Sequence, residues 1–149
     1  MSTIQNIEDW HRAARSKPTQ KDFDVQLACH FEEVAELVEG LTFHHTGFES
    51  TPGGTTVLCN TLKLVSDLLK TGEVSTTVHD RDNFLKELCD QVVTATGVAY
   101  CAGMNMPKAL ARVDDSNWSK FVNGYPVFDE NGKIAKPDTY RKPDMEGCY

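Results

Sequence analysis

Apolar residues recur at steps of three and four up to about residue 113, which is the spacing of amphipathic helices. The clearest repeat runs from residue 22 to about residue 42 and ends at Gly40 and the polar stretch behind it. It predicts a long helix with Leu27, Phe31, Val34, Val38 and Leu41 on its apolar face.

Further repeats predict helices over residues 4–15, 56–70 and about 80–101, and a short helical piece over residues 107–113. Gly72 follows the helix over 56–70 and can cap its end. The apolar stripes of the last two long helices are Leu58, Leu62, Val65 and Leu69, and then Leu85, Leu88, Val92, Ala95 or Thr96, and Ala99.

From Asp115 onward the helical period is lost. Residues 127–134 predict a small hairpin, because Asn131-Gly132 supplies the positive φ angles of a tight turn. Behind it, Pro137 and Pro143 favour irregular structure. We therefore expect one domain with an all-α fold, a four- to five-helix bundle over about residues 4–113 and an irregular tail over residues 114–149.

The chain of 149 residues has a net charge of −7 and an ordinary globular share of apolar residues, without the basic footprint that binds nucleic acid. No apolar run reaches the roughly 18 residues that a membrane-spanning helix needs, and the first residues lack the pattern of a signal peptide. These features predict a soluble, cytoplasmic protein that binds neither nucleic acid nor membrane.

The five cysteines are Cys29, Cys59, Cys89, Cys101 and Cys148. Their number is odd and none forms a CxxC pair, so in a cytoplasmic protein we expect reduced core residues rather than disulfides. A zinc-binding module remains an alternative, although the spacing of its ligands is poor. Its ligands would be Cys29, His30, His44, His45 and Cys59.

Two predicted helices carry several carboxylates on one face. On the first, Glu32 and Glu36 lie four residues apart and nearly above one another, with Glu33 about 60° to one side. On the other, Glu87 and Asp90 lie three residues apart. Hard oxygen ligands in this number are typical of a Mg²⁺ or Mn²⁺ site and not of a zinc site.

A solvated acidic face is the simpler interpretation, because these carboxylates lie away from the main apolar stripe. Two features favour a cation site instead. No Lys or Arg occurs from residue 22 to residue 43, so Glu32 and Glu36 repel each other without a local counter-charge. Small residues, which leave room for an ion or a helix, occupy the neighbouring positions at Cys29, Gly40, Thr94 and Gly97.

The two acidic segments, Glu32-Glu33-Val34-Ala35-Glu36 and Glu87-Leu88-Cys89-Asp90, resemble motifs of the all-α nucleoside triphosphate pyrophosphohydrolase superfamily, the MazG and dimeric dUTPase group. That group carries EExxE on one helix and ExxD on a later one. The tail extends the resemblance to a MazG-like branch with bacterial and bacteriophage members, through an SNxSK segment and a GKxxK…Y…PD ending. These are Ser116-Asn117-Trp118-Ser119-Lys120, and Gly132-Lys133-Ile134-Ala135-Lys136 with Tyr140 and Pro143-Asp144. Residues 43–78 have no clear counterpart.

The resemblance implies a magnesium-dependent hydrolase, with Mn²⁺ as an alternative ion, that converts nucleoside triphosphates to monophosphates and pyrophosphate in nucleotide-pool control. Among nucleoside triphosphates, the branch resembled favours a deoxynucleotide such as dUTP or dCTP, and the sequence leaves the base open. It implies that Glu33, Glu36, Glu87 and Asp90 ligate the metal. Glu32 would bind a further ion or position the attacking water, so Glu32 and Glu33 are the candidate catalytic residues.

The resemblance further implies that the tail contacts the substrate. The implied substrate-binding residues are Asn117, Lys120, Lys133, Lys136, Tyr140 and Arg141. Cations suit this role because they stabilise charge that develops on phosphate oxygens. Members of the family are commonly homodimers or homotetramers with sites between subunits, so we expect dimerisation to complete the bundle.

Two other functions remain open alternatives. A phosphoribosyl-ATP pyrophosphohydrolase of histidine biosynthesis has the same fold and differs in its substrate. A non-catalytic helical interaction protein would use the acidic face to dock a basic partner, and it would not need magnesium.

Overall fold

The structure, a computed structural model, describes residues 3–44 and 46–149. These described residues form five α-helices, one short 3₁₀ helix and two antiparallel pairs of two-residue strands. The helices are α1 (Thr3–Ala14), α2 (Gln20–Glu39), α3 (Val57–Thr71), α4 (Arg81–Cys101) and α5 (Met106–Trp118). The strands are β1 (Thr42–Phe43), β2 (Thr51–Pro52), β3 (Phe121–Val122) and β4 (Tyr125–Pro126). This mostly helical architecture is compatible with the predicted all-α class.

The described residues cluster into two compact units. The first contains residues 3–17, 77–127 and 134–149, and therefore α1, α4, α5, β3 and β4. The second contains residues 18–76 and 128–133, and therefore α2, α3, β1 and β2. The tail thus contributes to both units.

In the second unit, α2 and α3 pack as an antiparallel pair. Thr19 and Asp22 form a capping box at the start of α2. The Ser66 hydroxyl donates to the Ala28 carbonyl over 2.9 Å, and the Cys59 thiol lies 3.7 Å from the Ala35 carbonyl. Small side chains occupy both levels of this contact, so the two backbones approach closely.

The buried faces of α2 and α3 agree only partly with the predicted stripes. Val38 and Leu69 are buried, but Leu41 and Leu58 are exposed. The faces turned inward also carry small and polar residues: Asp24, Ala28, Ala35, Cys59 and Ser66. The prediction counted large apolar residues, whereas close helix packing selects small ones.

In the first unit, α5 is longer than predicted. The expectation that helical structure ends at Asp115 was wrong, because α5 continues to Trp118. The Asn105 side chain caps its start by accepting from the Lys108 amide, with Pro107 in the first turn. The serine and asparagine of the SNxSK segment therefore lie on the last turn of a helix.

The hairpin predicted over residues 127–134 is formed. The Ala135 amide donates to the Val127 carbonyl over 2.8 Å, the Asp129 amide donates to the Lys133 carbonyl over 2.9 Å, and Gly132 in the turn has a positive φ. The Asp129 carboxylate also closes this turn by accepting from the amides of Asn131 and Lys133. A second hairpin, which was not predicted, joins β3 and β4 through another Asn-Gly pair with positive φ at Asn123 and Gly124.

Helix α4 has the predicted bounds, and Asp80 caps its start. Its predicted apolar stripe is not buried: among the described residues no side chain of α4 is buried, and Leu85 and Val92 are 63% and 54% exposed. No helix within the described ranges is long and apolar enough to cross a membrane.

Candidate active site

The three carboxylates of α2 that were predicted as site residues differ in their surroundings. Ala28, Ala35 and Val38 turn one side of α2 inward, which leaves Glu33 and Glu36 exposed and Glu32 half-buried. Within residues 3–44 and 46–149, neither the Glu33 side chain nor the Glu36 side chain forms a hydrogen bond or an ion pair. Of the three, these two are therefore open to a ligand.

Glu32, in contrast, is held by two lysines from elsewhere in the chain. Lys70 of α3 lies 3.0 Å from its Oε1 atom, and Lys133 of the tail donates to its Oε2 atom over 2.6 Å. Burial alone would raise the pKa of Glu32, but the hydrogen bonds from Lys133 and Lys70 outweigh it and lower the pKa. The counter-charge that is missing from the local sequence thus comes from two distant segments.

The turn over residues 129–133 presents the side chain of Lys133. Asp129 holds this turn closed, because its amide donates to the Lys133 carbonyl and its carboxylate accepts from the Lys133 amide, each over 2.9 Å. Burial opposes a charge on Lys133, but the bond to Glu32 prevails and raises the pKa of Lys133. The lysine is therefore held as a cation beside α2.

Sequence reasoning missed Lys70 and a second lysine of α3. Lys63 forms an ion pair with Glu39. Lys63 and Lys70 are seven residues apart, as are Glu39 and Glu32. In the antiparallel pair of helices, Lys63 therefore lies opposite Glu39, and Lys70 lies opposite Glu32. A lysine spacing of seven on α3 was the available signal, but α3 lies in the segment for which the resemblance gave no counterpart.

A cleft of about 210 Å³ opens beside these pairs in the second unit. Acidic side chains dominate its lining, which consists of Glu32, Glu36, Glu39, Lys63, Ser66 and Asp67. Asp67 is exposed and was not among the predicted site residues. The cleft gives Glu36 a concave setting rather than a flat one.

The carboxylates of α4 lie in the first unit and share one cation. Lys86 lies 3.0 Å from Glu87 and 2.7 Å from Asp90, and all three side chains are exposed. A Cβ atom added at Gly97, on the same face, would meet nothing within 4 Å. This face of α4 is therefore open, as the small neighbouring residues suggested.

Five of the six predicted substrate-binding residues come together in the first unit. Lys120 donates to the Asn117 side chain over 2.7 Å, and its ammonium lies 5.8 Å from the ring centroids of both Trp10 and Tyr140. Lys136 lies 5.3 Å from the Tyr140 ring. The backbone of Arg141 joins the group by donating to the Ser119 hydroxyl and accepting from the Ser116 hydroxyl. The sixth residue, Lys133, belongs to the second unit.

Trp10 of α1 is a member of this cluster that sequence reasoning missed. Its indole donates to the Asn117 carbonyl over 2.9 Å, and its ring packs near Phe121. In the sequence, Trp10 is marked only by its place within the helix predicted over residues 4–15. Cation–π contacts of this length help to hold an ammonium group in place.

The donor set fits magnesium, although it is sparse. Among residues 3–44 and 46–149, no three His, Cys, Asp or Glu side chains form a group that could hold a metal ion. Mg²⁺ does not require one, because it is usually held by one or two carboxylates together with waters and substrate phosphates. Glu33 and Glu36 supply two such carboxylates one helical turn apart.

The zinc alternative gains no support from the described ligands. Cys59 is buried with its thiol near the Ala35 carbonyl, and His44 hydrogen-bonds to Ser50 through Nδ1. Burial raises the pKa of Cys29, which disfavours the thiolate that zinc binds. His45 lies outside the described residues. All five cysteines are free, and Cys59 and Cys148 are buried as predicted, whereas Cys89 and Cys101 are exposed.

Comparisons of the chain with protein-family models, with curated proteins and with solved structures gave no match.

Proposed function

We propose that the protein is a magnesium-dependent nucleoside triphosphate pyrophosphohydrolase of the MazG-like type, acting in nucleotide-pool control on a substrate such as dUTP or dCTP. The observation that carries the proposal is the 2.6 Å contact between Lys133 and Glu32. It joins a tail residue assigned to the phosphates with the acidic helix assigned to the metal. Two motifs that are 101 residues apart in sequence thus meet in one unit.

In this proposal Glu33 and Glu36 of the second unit hold magnesium. Glu87 and Asp90 of the first unit are assigned as metal ligands by the resemblance alone. When bound, magnesium supplies charge neutralisation, orientation of phosphate oxygens and activation of water. It also offsets the net charge of −7 that would otherwise repel a triphosphate. Lys86 is the internal cation that would be displaced from Glu87 and Asp90.

The reaction adds water to the α-phosphorus and breaks the bond to the α–β bridging oxygen. One proton leaves the water, and the products are a nucleoside monophosphate and pyrophosphate. Of the two candidate catalytic residues, Glu32 is bound by two ammonium groups that lower its pKa, so the proposal assigns the proton of the water to Glu33. Glu32 keeps the other role that the resemblance implies, which is to bind a further ion or to position the attacking water.

The tail cations stabilise the phosphates. Lys120 is pre-organised for this role by Asn117 and by the rings of Trp10 and Tyr140, so little entropy is lost when it meets an anion. Lys136 and Arg141 add positive charge to the same unit. Pre-organised cations of this kind lower the free energy of a transition state that gains charge on its oxygens.

We further propose that α4 joins two copies of the chain in a homodimer or homotetramer. Its exposed apolar side chains Leu85, Val92, Val93 and Tyr100 lie on one side of the helix. Apolar surface of this extent on a 21-residue helix is typical of an interaction site. A second copy of α4 would cover it with like residues, as a two-fold interface requires.

The deciding experiment is pyrophosphate release from a panel of nucleoside triphosphates and phosphoribosyl-ATP, measured with Mg²⁺ and with EDTA. We expect magnesium-dependent release from one or a few nucleoside triphosphates. Release from phosphoribosyl-ATP alone would assign the histidine-biosynthesis activity instead. No release by folded protein would overturn the hydrolase proposal and favour the interaction protein.

A further inference from the structure

Lys70 and Lys133 direct two ammonium groups at a single carboxylate, one at each oxygen of Glu32. In direct contact, two ammonium groups therefore face one carboxylate, and Glu33 acts on Lys133 only at longer range. The Lys70 side chain is 14% exposed and that of Lys133 is 40% exposed, so Lys70 is not a freely moving surface lysine. A partly buried position where two ammonium groups contact one carboxylate favours a ligand that carries more negative charge than a carboxylate.

Both lysines are held in place by their backbones. Lys70 lies in the last turn of α3, where the ammonium of Lys21 binds the carbonyls of Leu69 and Lys70 and where Gly72 ends the helix in the left-handed conformation. Lys133 is held by both bonds to Asp129. The position between the two ammonium groups is thus built by the fold and does not depend on Glu32 alone.

We propose that Lys70 and Lys133 form an anion subsite for the phosphate tail of the substrate, and that Glu32 occupies this subsite in the free protein. Carboxylate and phosphate oxygens accept the same charge-assisted hydrogen bonds. A terminal phosphate carries about −1.5 to −2 charge, so it binds two lysines more strongly than a carboxylate does. Glu32 fills the subsite when no ligand is present because it is tethered beside it.

The inference rests on the proposed function for the identity of its ligand, but the subsite can be tested without catalysis. The probe is inorganic tripolyphosphate, and its binding to the full chain is measured by calorimetry in EDTA and low salt. Glu32→Gln removes the internal occupant, so we expect tighter binding. If Glu32 fills the subsite about nine-tenths of the time, the gain is about tenfold.

Substitution of either lysine should have the opposite effect on tripolyphosphate binding. We expect Lys70→Met and Lys133→Met each to weaken tripolyphosphate binding several-fold, and Lys70→Arg to retain it. Lys63→Met is the matched control, because Lys63 is also on α3 and paired with a carboxylate of α2, but shares Glu39 with no second lysine. Its affinity for tripolyphosphate should stay within about twofold of the unmodified chain.

Unchanged affinity in Glu32→Gln would overturn the subsite, and so would equal loss in Lys70→Met and Lys63→Met. If Lys70→Met fails to fold, Glu32→Gln and Lys70→Arg decide the question. If the protein is inactive but shows the expected changes in tripolyphosphate affinity, the subsite stands and the pyrophosphohydrolase proposal fails. If the protein is active without these changes, the pyrophosphohydrolase proposal stands, and Lys70, Glu32 and Lys133 form a structural ion-pair cluster.

Discussion

Individual carboxylates in this protein owe their state to partners far along the chain. Lys70 and Lys133 reach Glu32 and lower its pKa, whereas Glu33, the next residue, is exposed without an ion pair among the described residues. Asp24 is buried and accepts hydrogen bonds from Gln20, Ser75 and Thr76. Carboxylates on the same helix, even the adjacent Glu32 and Glu33, therefore differ in their chemical environment.

Glu36→Gln and Asp90→Asn test the metal ligands. Each should reduce magnesium-dependent turnover by about a hundredfold or more, because a ligand charge is lost while the fold, in which both side chains are exposed, stays intact. Circular dichroism should be unchanged, and the metal-free stability unchanged or raised as repulsion falls. Glu49→Gln, in an exposed loop, is the control, and full activity in both test variants would refute the assignment.

Asp24→Asn tests the buried carboxylate that binds Ser75 and Thr76 in the segment after α3. We expect a loss of about 1.5–3 kcal/mol in the free energy of unfolding at pH 7, because charge-assisted bonds are replaced by an amide that also carries donors. Burial alone would raise the pKa of Asp24, but the bonds from Thr76, Ser75 and Gln20 outweigh it and lower the pKa.

A lowered pKa gives a defined pH dependence. The stabilisation by Asp24 is full above the unfolded pKa of about 4 and is lost as the pH falls through the lower pKa of the folded state. Urea titrations should therefore show a large gap between the unmodified chain and Asp24→Asn at pH 7 that narrows below pH 4. The exposed Asp138→Asn should show little gap at either pH, and a constant gap for Asp24→Asn would contradict the assigned cause.

At the scale of elements, α2 and α3 are matched by a spacing of seven residues, which is close to two helical turns. Small residues meet at Ala28 with Ser66 and at Ala35 with Cys59. Ion pairs join Glu32 with Lys70 and Glu39 with Lys63. Both sets require the same register, so the close packing of the helices and the pairing of their charges support each other.

The junction behind β2 should be sensitive to a single methyl group. A Cβ atom at Gly53 would lie 1.7 Å from the Val38 carbonyl oxygen, whereas one at Gly54 would lie 3.5 Å from the Glu39 side chain. We expect Gly53→Ala to lower the free energy of unfolding by about 1–3 kcal/mol and Gly54→Ala to change it little. Equal midpoints in thermal denaturation would show that the contact between Gly53 and α2 is not formed.

For the whole molecule, α4 is the element whose apolar face finds least cover in the described chain. Leu85, Val92 and Val93 are exposed on it, although the sequence gives α4 a regular apolar stripe. An amphipathic helix normally buries such a stripe. In the homodimer proposed above, a second copy of the chain would cover this stripe.

Charged substitutions on α4 should therefore change the oligomeric state. We expect the unmodified chain to sediment as a dimer or tetramer, and Val92→Glu with Val93→Glu to shift it toward the monomer, because burying a carboxylate in an apolar contact is unfavourable. Thr61→Glu adds the same charge to an exposed position of α3 and should not. A monomeric unmodified chain at micromolar concentration would refute the interface.

Much of the fold could be predicted from the sequence alone. The bounds of α3 and α4, the cap at Gly72 and the acidic motifs on α2 and α4 depend on residues within a few positions of each other. Periodicity and capping encode such features locally. The SNxSK segment and the tail lysines, in contrast, were candidates through the resemblance to the pyrophosphohydrolase superfamily.

Tertiary structure decided which of these residues meet. The pairing of Glu32 with Lys70 and Lys133, the contact of Trp10 with Asn117 and the exposure of the α4 stripe depend on helix register and on the path of the tail. The sequence determined the helices and their chemistry, because these follow from local spacing. Packing determined the partners, because a long-range contact is specified by no single segment.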